Sequence, residues 1–158
     1  LGLTEYPMPA SGCLLTEPNY SYRLRELLRY CPDPSLNDLN LLRLGRHFRM
    51  SPTCKAIVGR DEKENDLIEQ FAGDNDYLMK IEDFGSPITF LSGECTEAFI
   101  PRAASICARY SDARHLAEAA VTVFNKNNSY ILKVAPADES LLETYRVEKK
   151  NRALTVKI

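Results

Sequence analysis

The chain has 158 residues, 44% of them hydrophobic and 27% charged, with a formal net charge of −2 and a pI near 5.8. This is ordinary globular composition with enough length for one domain and a short appendage, and the acidic balance excludes a uniformly basic nucleic-acid binder. No apolar run approaches the roughly 20 residues that span a bilayer, and no signal peptide is visible. The five cysteines form no C-x-x-C pair, and only His47 and His115 are present to join them, so no zinc site is expected. Free thiols in a reducing cytosol, hence a cytoplasmic protein, are the plain reading. The chain begins at Leu1 rather than Met and is expected to be a piece of something longer.

Residues 1–16 read as an arm rich in Pro, Gly and Ser, with Cys13 in the run Ala10-Ser11-Gly12-Cys13-Leu14-Leu15. Pro18 or Asn19 then opens a helix over Tyr20 to Tyr30, apolar at Leu24, Leu27 and Leu28 and basic at Arg23, Arg25 and Arg29. Pro32 and Pro34 end it, and Ser35 or Asn37 is placed to cap a short helical turn through Leu42. A boundary is expected near residue 36, dividing an N-terminal arm and linker helix (1–36) from a main domain (37–158).

The stretch from Gly45 to Ala72 predicts two short strands and a capped helix. Arg46-His47-Phe48-Arg49-Met50 mixes basic and apolar side chains as a half-buried strand does. Ser51-Pro52-Thr53 turns, Lys55 to Val58 returns, and Gly59 lets the chain bend away. Asp61 followed by Glu64 is an acidic form of the capping box, Leu67, Ile68 and Phe71 make a helical stripe, and Gly73 stops it.

Tyr77 to Ile81 and Ile88 to Leu91 predict a strand pair about a turn at Asp83-Phe84-Gly85-Ser86, apolar on both faces and so covered on both. A helix follows from about Glu97 to Tyr110, packing Ala103, Ala104 and Cys107 inward and showing Arg102 and Arg109 outward. Ala119 to Phe124 and Tyr130 to Val134 are the next strands, around an Asn125–Asn128 turn. After a loop at Pro136, Arg146 to Glu148 and Leu154 to Ile158 predict a last hairpin. The elements do not alternate as β-α-β units. The expected class is α+β: a mixed, mostly antiparallel sheet with two main packing helices, preceded by a short helical segment.

The common catalytic signatures are absent: no glycine-rich phosphate loop, no G-x-S-x-G, no H-E-x-x-H. From Arg43 to Arg60 there are five Lys/Arg, one His and no acid, whereas Asp61 to Glu69 holds five acids and one Lys. The acids read as a solvated helix face with a cap. The basic group (Arg46, His47, Arg49, Lys55, Arg60), extended by Arg102, Arg109 and Arg114, fits either a plain surface or a polyanion site, since guanidinium suits phosphate. Asn65 adds a group able to bond a base or sugar. Cys13, in a Ser-Gly-Cys context before a helix, is the one candidate nucleophile, or else a small buried hydrophobe.

The run Ile57-Val58-Gly59-Arg60-Asp61-Glu62-Lys63-Glu64-Asn65-Asp66, then Asp76-Tyr77-Leu78-Met79, Gly85-Ser86-Pro87-Ile88, Ala103-Ala104 and Ala108-Arg109-Tyr110-Ser111 with Ala113-Arg114, resembles the RNA-binding domain of the NFACT proteins. The preceding Pro9 to Thr16, with Arg23 to Leu28, is similar to PP-loop ATP-pyrophosphatases related to tRNA thiouridine synthases, which carry an NFACT-like domain at their C-terminal end. Together these resemblances imply the C-terminal fragment of a tRNA-thiolation-type protein. The fragment would hold RNA, with tRNA the expected RNA, while a missing PP-loop domain adenylates the base. They imply RNA contacts at the basic residues above, a base-stacking Tyr77 where that family has Trp, and a sulfur-carrying Cys13. Met79 stands where the family has His. No Ser-Gly-Gly-x-Asp-Ser motif is present, so no cofactor is expected in this fragment, ATP belonging to the missing domain. Docking to that domain or to a second copy, through the Tyr/Leu face of the first helix, is the alternative role.

Overall fold

The computed structural model describes residues 18–74, 76–93 and 99–147. Cys13 and the expected strand at Leu154 to Ile158 lie outside them. Among the described residues there are five helices: α1 (Pro18–Tyr30), α2 (Leu36–Leu41), α3 (Glu62–Phe71), α4 (Phe99–Arg109) and α5 (Glu139–Tyr145). Six strands accompany them: β1 (Arg46–Ser51), β2 (Cys54–Val58), β3 (Tyr77–Lys80), β4 (Thr89–Gly93), β5 (Ala119–Phe124) and β6 (Ser129–Val134). The class is α+β, as expected. The chain divides into two compact units, Leu44–Arg146 and the segments that flank it.

In the flanking unit, α2 begins with a reciprocal box: Ser35 Oγ accepts the Asp38 N–H at 3.1 Å and Asp38 Oδ2 accepts the Ser35 N–H at 2.9 Å. Arg23 of α1 donates to the carbonyl of Leu42 at 3.1 Å.

In the main unit the sheet order is β1-β2-β4-β3-β5-β6, with every neighbouring pair antiparallel. Because side chains alternate, the register assigns each residue to a face. One row crosses the sheet as Arg46, Val58, Thr89, Met79, Val123 and Tyr130. The row on the other face is His47, Ile57, Phe90, Leu78, Phe124 and Ser129. The first face meets α4, whose Ala103, Ala104, Ile106, Cys107 and Ala108 are buried against Phe48, Ala56, Met79, Leu91, Val121 and Val123. Small residues on α4 let its backbone come close to the sheet. The fully buried Ile68 of α3 stands outside that cluster, and α3 lies against β4. Burying such a side chain contributes about 1.5–3 kcal/mol.

Two local expectations need correction. Gly73 does not end α3 by a left-handed turn: the helix stops where Ala72 becomes extended, and Asp76 Oδ2 accepts the Gly73 N–H at 2.7 Å. The loop after Pro136 contains a helix, α5, capped by Asp138 Oδ1 on the Leu141 N–H at 2.8 Å. The expected hairpin of Arg146 to Glu148 with Leu154 to Ile158 lies outside the described residues beyond Val147, and Arg146 itself bridges back to Phe48 of β1.

Candidate nucleic-acid interface

A cleft of about 480 Å³ opens at one end of the sheet, where β1 begins, β2 ends, α3 starts and α4 finishes. Its polar lining includes Arg46, Arg60, Asn65, Ser86, Tyr110 and Asp112.

Each wall has a local cause. Arg46 stands on the α4 face of the sheet, and its guanidinium carbon lies 4.5 Å from the centroid of the Tyr110 ring. That is within cation–π range. Phe48, one turn of the pleat further along β1, backs the same ring at 6.3 Å. Tyr110 is set by the end of α4. The buried Ser111 hydroxyl donates to the Ala108 carbonyl at 2.7 Å and accepts the Ala113 N–H at 3.0 Å. The chain therefore turns at once, and the Asp112 N–H donates to the Gly85 carbonyl at 2.7 Å.

The opposite wall is the first turn of α3. Asp61 accepts the Glu64 N–H at 2.8 Å, which is the expected cap. The Glu64 carboxylate, however, does not return to Asp61. Its Oε1 accepts the N–H groups of Arg60 and Gly45, at 2.9 and 3.2 Å, and its Oε2 accepts Arg60 Nη2 at 2.7 Å. Hydrogen bonding from the Arg60 guanidinium holds this carboxyl below its usual range, against the opposing effect of burial. Asn65 Oδ1 accepts the Ile88 N–H at 3.0 Å, which fixes the amide and leaves its NH₂ as a donor. Both Gly59 and Gly85 are needed for space: a Cβ on either would overlap the Asn65 amide or the Asp112 carboxylate, respectively.

The structure does not gather the predicted basic residues into one surface. Arg46, Arg60 and Asn65 share the cleft. Arg49 and Lys55 face one another on the other side of the sheet. His47 is 1% exposed, with Nε2 2.9 Å from the Leu44 carbonyl, so the expected RNA contact there is instead a buried strand histidine. Arg102 donates to Tyr145 Oη at 2.7 Å, and Arg109 to the Ala137 carbonyl at 2.9 Å and Glu139 at 3.2 Å; both tie α4 to the α5 segment. Arg114 is exposed and donates to the Ser111 carbonyl at 3.3 Å. Tyr77 packs against the core, and the aromatic ring that lines the cleft is Tyr110. Tyr110 and Asp112 were missed as site residues because only the turn at Ser111 brings them to Gly85. The Ala108-Arg109-Tyr110-Ser111 string was the available signal.

An antiparallel sheet covered by a small-residue helix, with a polar arginine–tyrosine cleft at its end, defines a compact α+β binding module. The chain belongs to the family described as the NFACT protein RNA-binding domain, whose model matches residues 45–146. It is also similar to the solved C-terminal region of the fibronectin/fibrinogen-binding protein from Streptococcus suis, with a TM-score of 0.59 and 15% identity. That likeness concerns the fold; it covers 81% of this chain, and this chain spans 61% of the length of that structure. No curated protein sequence matches the chain.

Proposed function

We propose that this domain binds RNA, and tRNA in particular, at the cleft between α3 and the end of α4. One observation carries the reading. Within the matched residues 45–146, a guanidinium carbon lies 4.5 Å from the centre of an aromatic ring in an open polar cleft. Unpaired nucleotides stack on arginine planes and aromatic rings, and the Asn65 amide supplies a fixed donor beside them. Arg114, exposed on the loop after α4, extends the contact to phosphate. In this reading the domain is the RNA-holding part of a longer PP-loop protein that modifies a tRNA base. The likeness of Pro9 to Thr16 and Arg23 to Leu28 to that group supports it, and the domain itself holds no cofactor.

The test is titration of labelled tRNA with the protein at about 50 mM salt, for the wild type and for Arg46→Ala and Tyr110→Ala. Saturable binding that both variants weaken is the expected result. No binding at that salt, or binding indifferent to both substitutions, would remove the proposal.

A second reading, docking to another protein segment, is favoured by Leu28 and Leu36, which are 43% and 73% exposed. Light scattering of the domain alone and with its parent N-terminal region separates the two.

A further inference from the structure

The cleft's charges are wrong for a phosphate. Three carboxylates, Asp61, Glu62 and Asp112, line it against two guanidiniums, and Arg60 is already joined to Glu64 by two side-chain hydrogen bonds. A phosphate placed there would meet more negative than positive charge. A neutral planar group that offers both donors and acceptors meets no such penalty.

From this we infer that the cleft holds one unpaired guanine base of the bound RNA, a step that rests on the RNA-binding reading above. The base stacks against the Arg46 and Tyr110 pair that lines the cleft. Guanine presents two adjacent donors, N1–H and N2–H, and a carboxylate accepts both side by side. Asp112 is the carboxylate placed for this: its side chain is exposed, lies over Gly85, and makes no hydrogen bond among the described residues. The Hoogsteen edge of guanine carries the acceptors O6 and N7, which match the Asn65 NH₂.

The other bases fit less well. Uracil flanks its single N–H with two carbonyl oxygens, which a carboxylate repels. Adenine and cytosine set one amino group beside a ring nitrogen acceptor, so one carboxylate oxygen would face a lone pair. The bidentate pairing of an Asn side chain with adenine is also disfavoured, because Asn65 Oδ1 is engaged by the Ile88 N–H.

The experiment is fluorescence anisotropy with four unstructured RNA oligomers that differ only in one central base, against the wild type and Asp112→Asn, with melting curves to confirm that the variant folds. Guanine-containing RNA should bind about tenfold more tightly than the other three. In Asp112→Asn the ratio of guanine to adenine affinity should fall to about one. Guanosine monophosphate should displace the RNA and adenosine monophosphate should not. Equal binding of all four oligomers, or a guanine preference that survives Asp112→Asn, overturns the inference and leaves RNA binding intact. A protein that binds guanosine monophosphate but shows no preference among the RNAs overturns the RNA placement of the base. Failure to bind any of the RNAs at low salt removes the parent reading along with it.

Discussion

Asn65 Oδ1 occupies the space where a side chain on Gly59 would begin. The two residues are coupled through the Ile88 N–H, which Asn65 accepts at 3.0 Å. Gly59→Ala should therefore push the amide off that donor and leave a half-buried N–H unpaired, at a cost of about 1–3 kcal/mol. Gly85→Ala presses only on the free end of the exposed Asp112 carboxylate, which can swing away, and should cost less. Urea melts of both variants check this ordering; equal destabilisation would refute it.

Glu64 should make stability depend on pH in one direction. Its folded pKa is depressed, so its contribution is fully present above the unfolded value of about 4.3 and is lost as pH falls through the folded value. At neutral pH, Glu64→Gln should be less stable than wild type by roughly 1–2 kcal/mol, moderated because Arg60 is 46% exposed. The gap should hold down to about pH 5 and close in more acidic solution. A gap that widens on acidification would mean the carboxylate does not staple Gly45 to the start of α3.

Tyr110→Phe should leave both RNA affinity and stability nearly unchanged, because the ring under Arg46 and its contact with Phe48 remain. Tyr110→Ala should weaken RNA binding by about 1–3 kcal/mol, the range for losing one stacking platform. Parallel anisotropy titrations distinguish these. A Phe variant as weak as the Ala variant would mean the hydroxyl matters and the ring does not.

Salt should act weakly. Arg109 is paired with Glu139 and Arg60 with Glu64, so few cations remain to displace counterions. The slope of log K against log salt should be shallow, about −1 to −3. A slope as steep as about −6 would require a phosphate-contacting surface far larger than Arg114 provides.

Cys107 should be chemically silent in the native protein. Its thiol is fully buried against the Met79 and Pro87 carbonyls, and burial pushes its pKa up to about 11. Thiol labelling near pH 8 should reach the partly exposed Cys31 quickly and Cys107 only on unfolding. Labelling of Cys107 at the rate of Cys31 would indicate frequent opening of α4.

Most of the fold was legible because it rests on local patterns. The Ser51-Pro52-Thr53 turn, the Asp61 cap and the apolar stretches of β3 and β5 state their conformations within a few residues. Helix α5 was not legible: seven residues after a proline loop show too little periodicity, and its position depends on Arg102 and Arg109 reaching it from α4. The site was legible only in part. Sequence spacing places Arg46 and Arg49 close together, but strand alternation sends them to opposite faces of the sheet. His47 looks like one more cation until the register shows Ile57 opposite it and burial on that side. Which cations are consumed by internal partners is a property of contacts far apart in sequence, such as Arg109 with Glu139, and no local pattern reports it.

The bridge between Phe48 and Arg146 brings the first strand and the last residue of the main unit to within about 5 Å of each other. A module whose entry and exit adjoin can be spliced into a host chain without forcing the host's two ends apart. Evolution, or an engineer, could move residues 44–146 between proteins as a self-closing cassette.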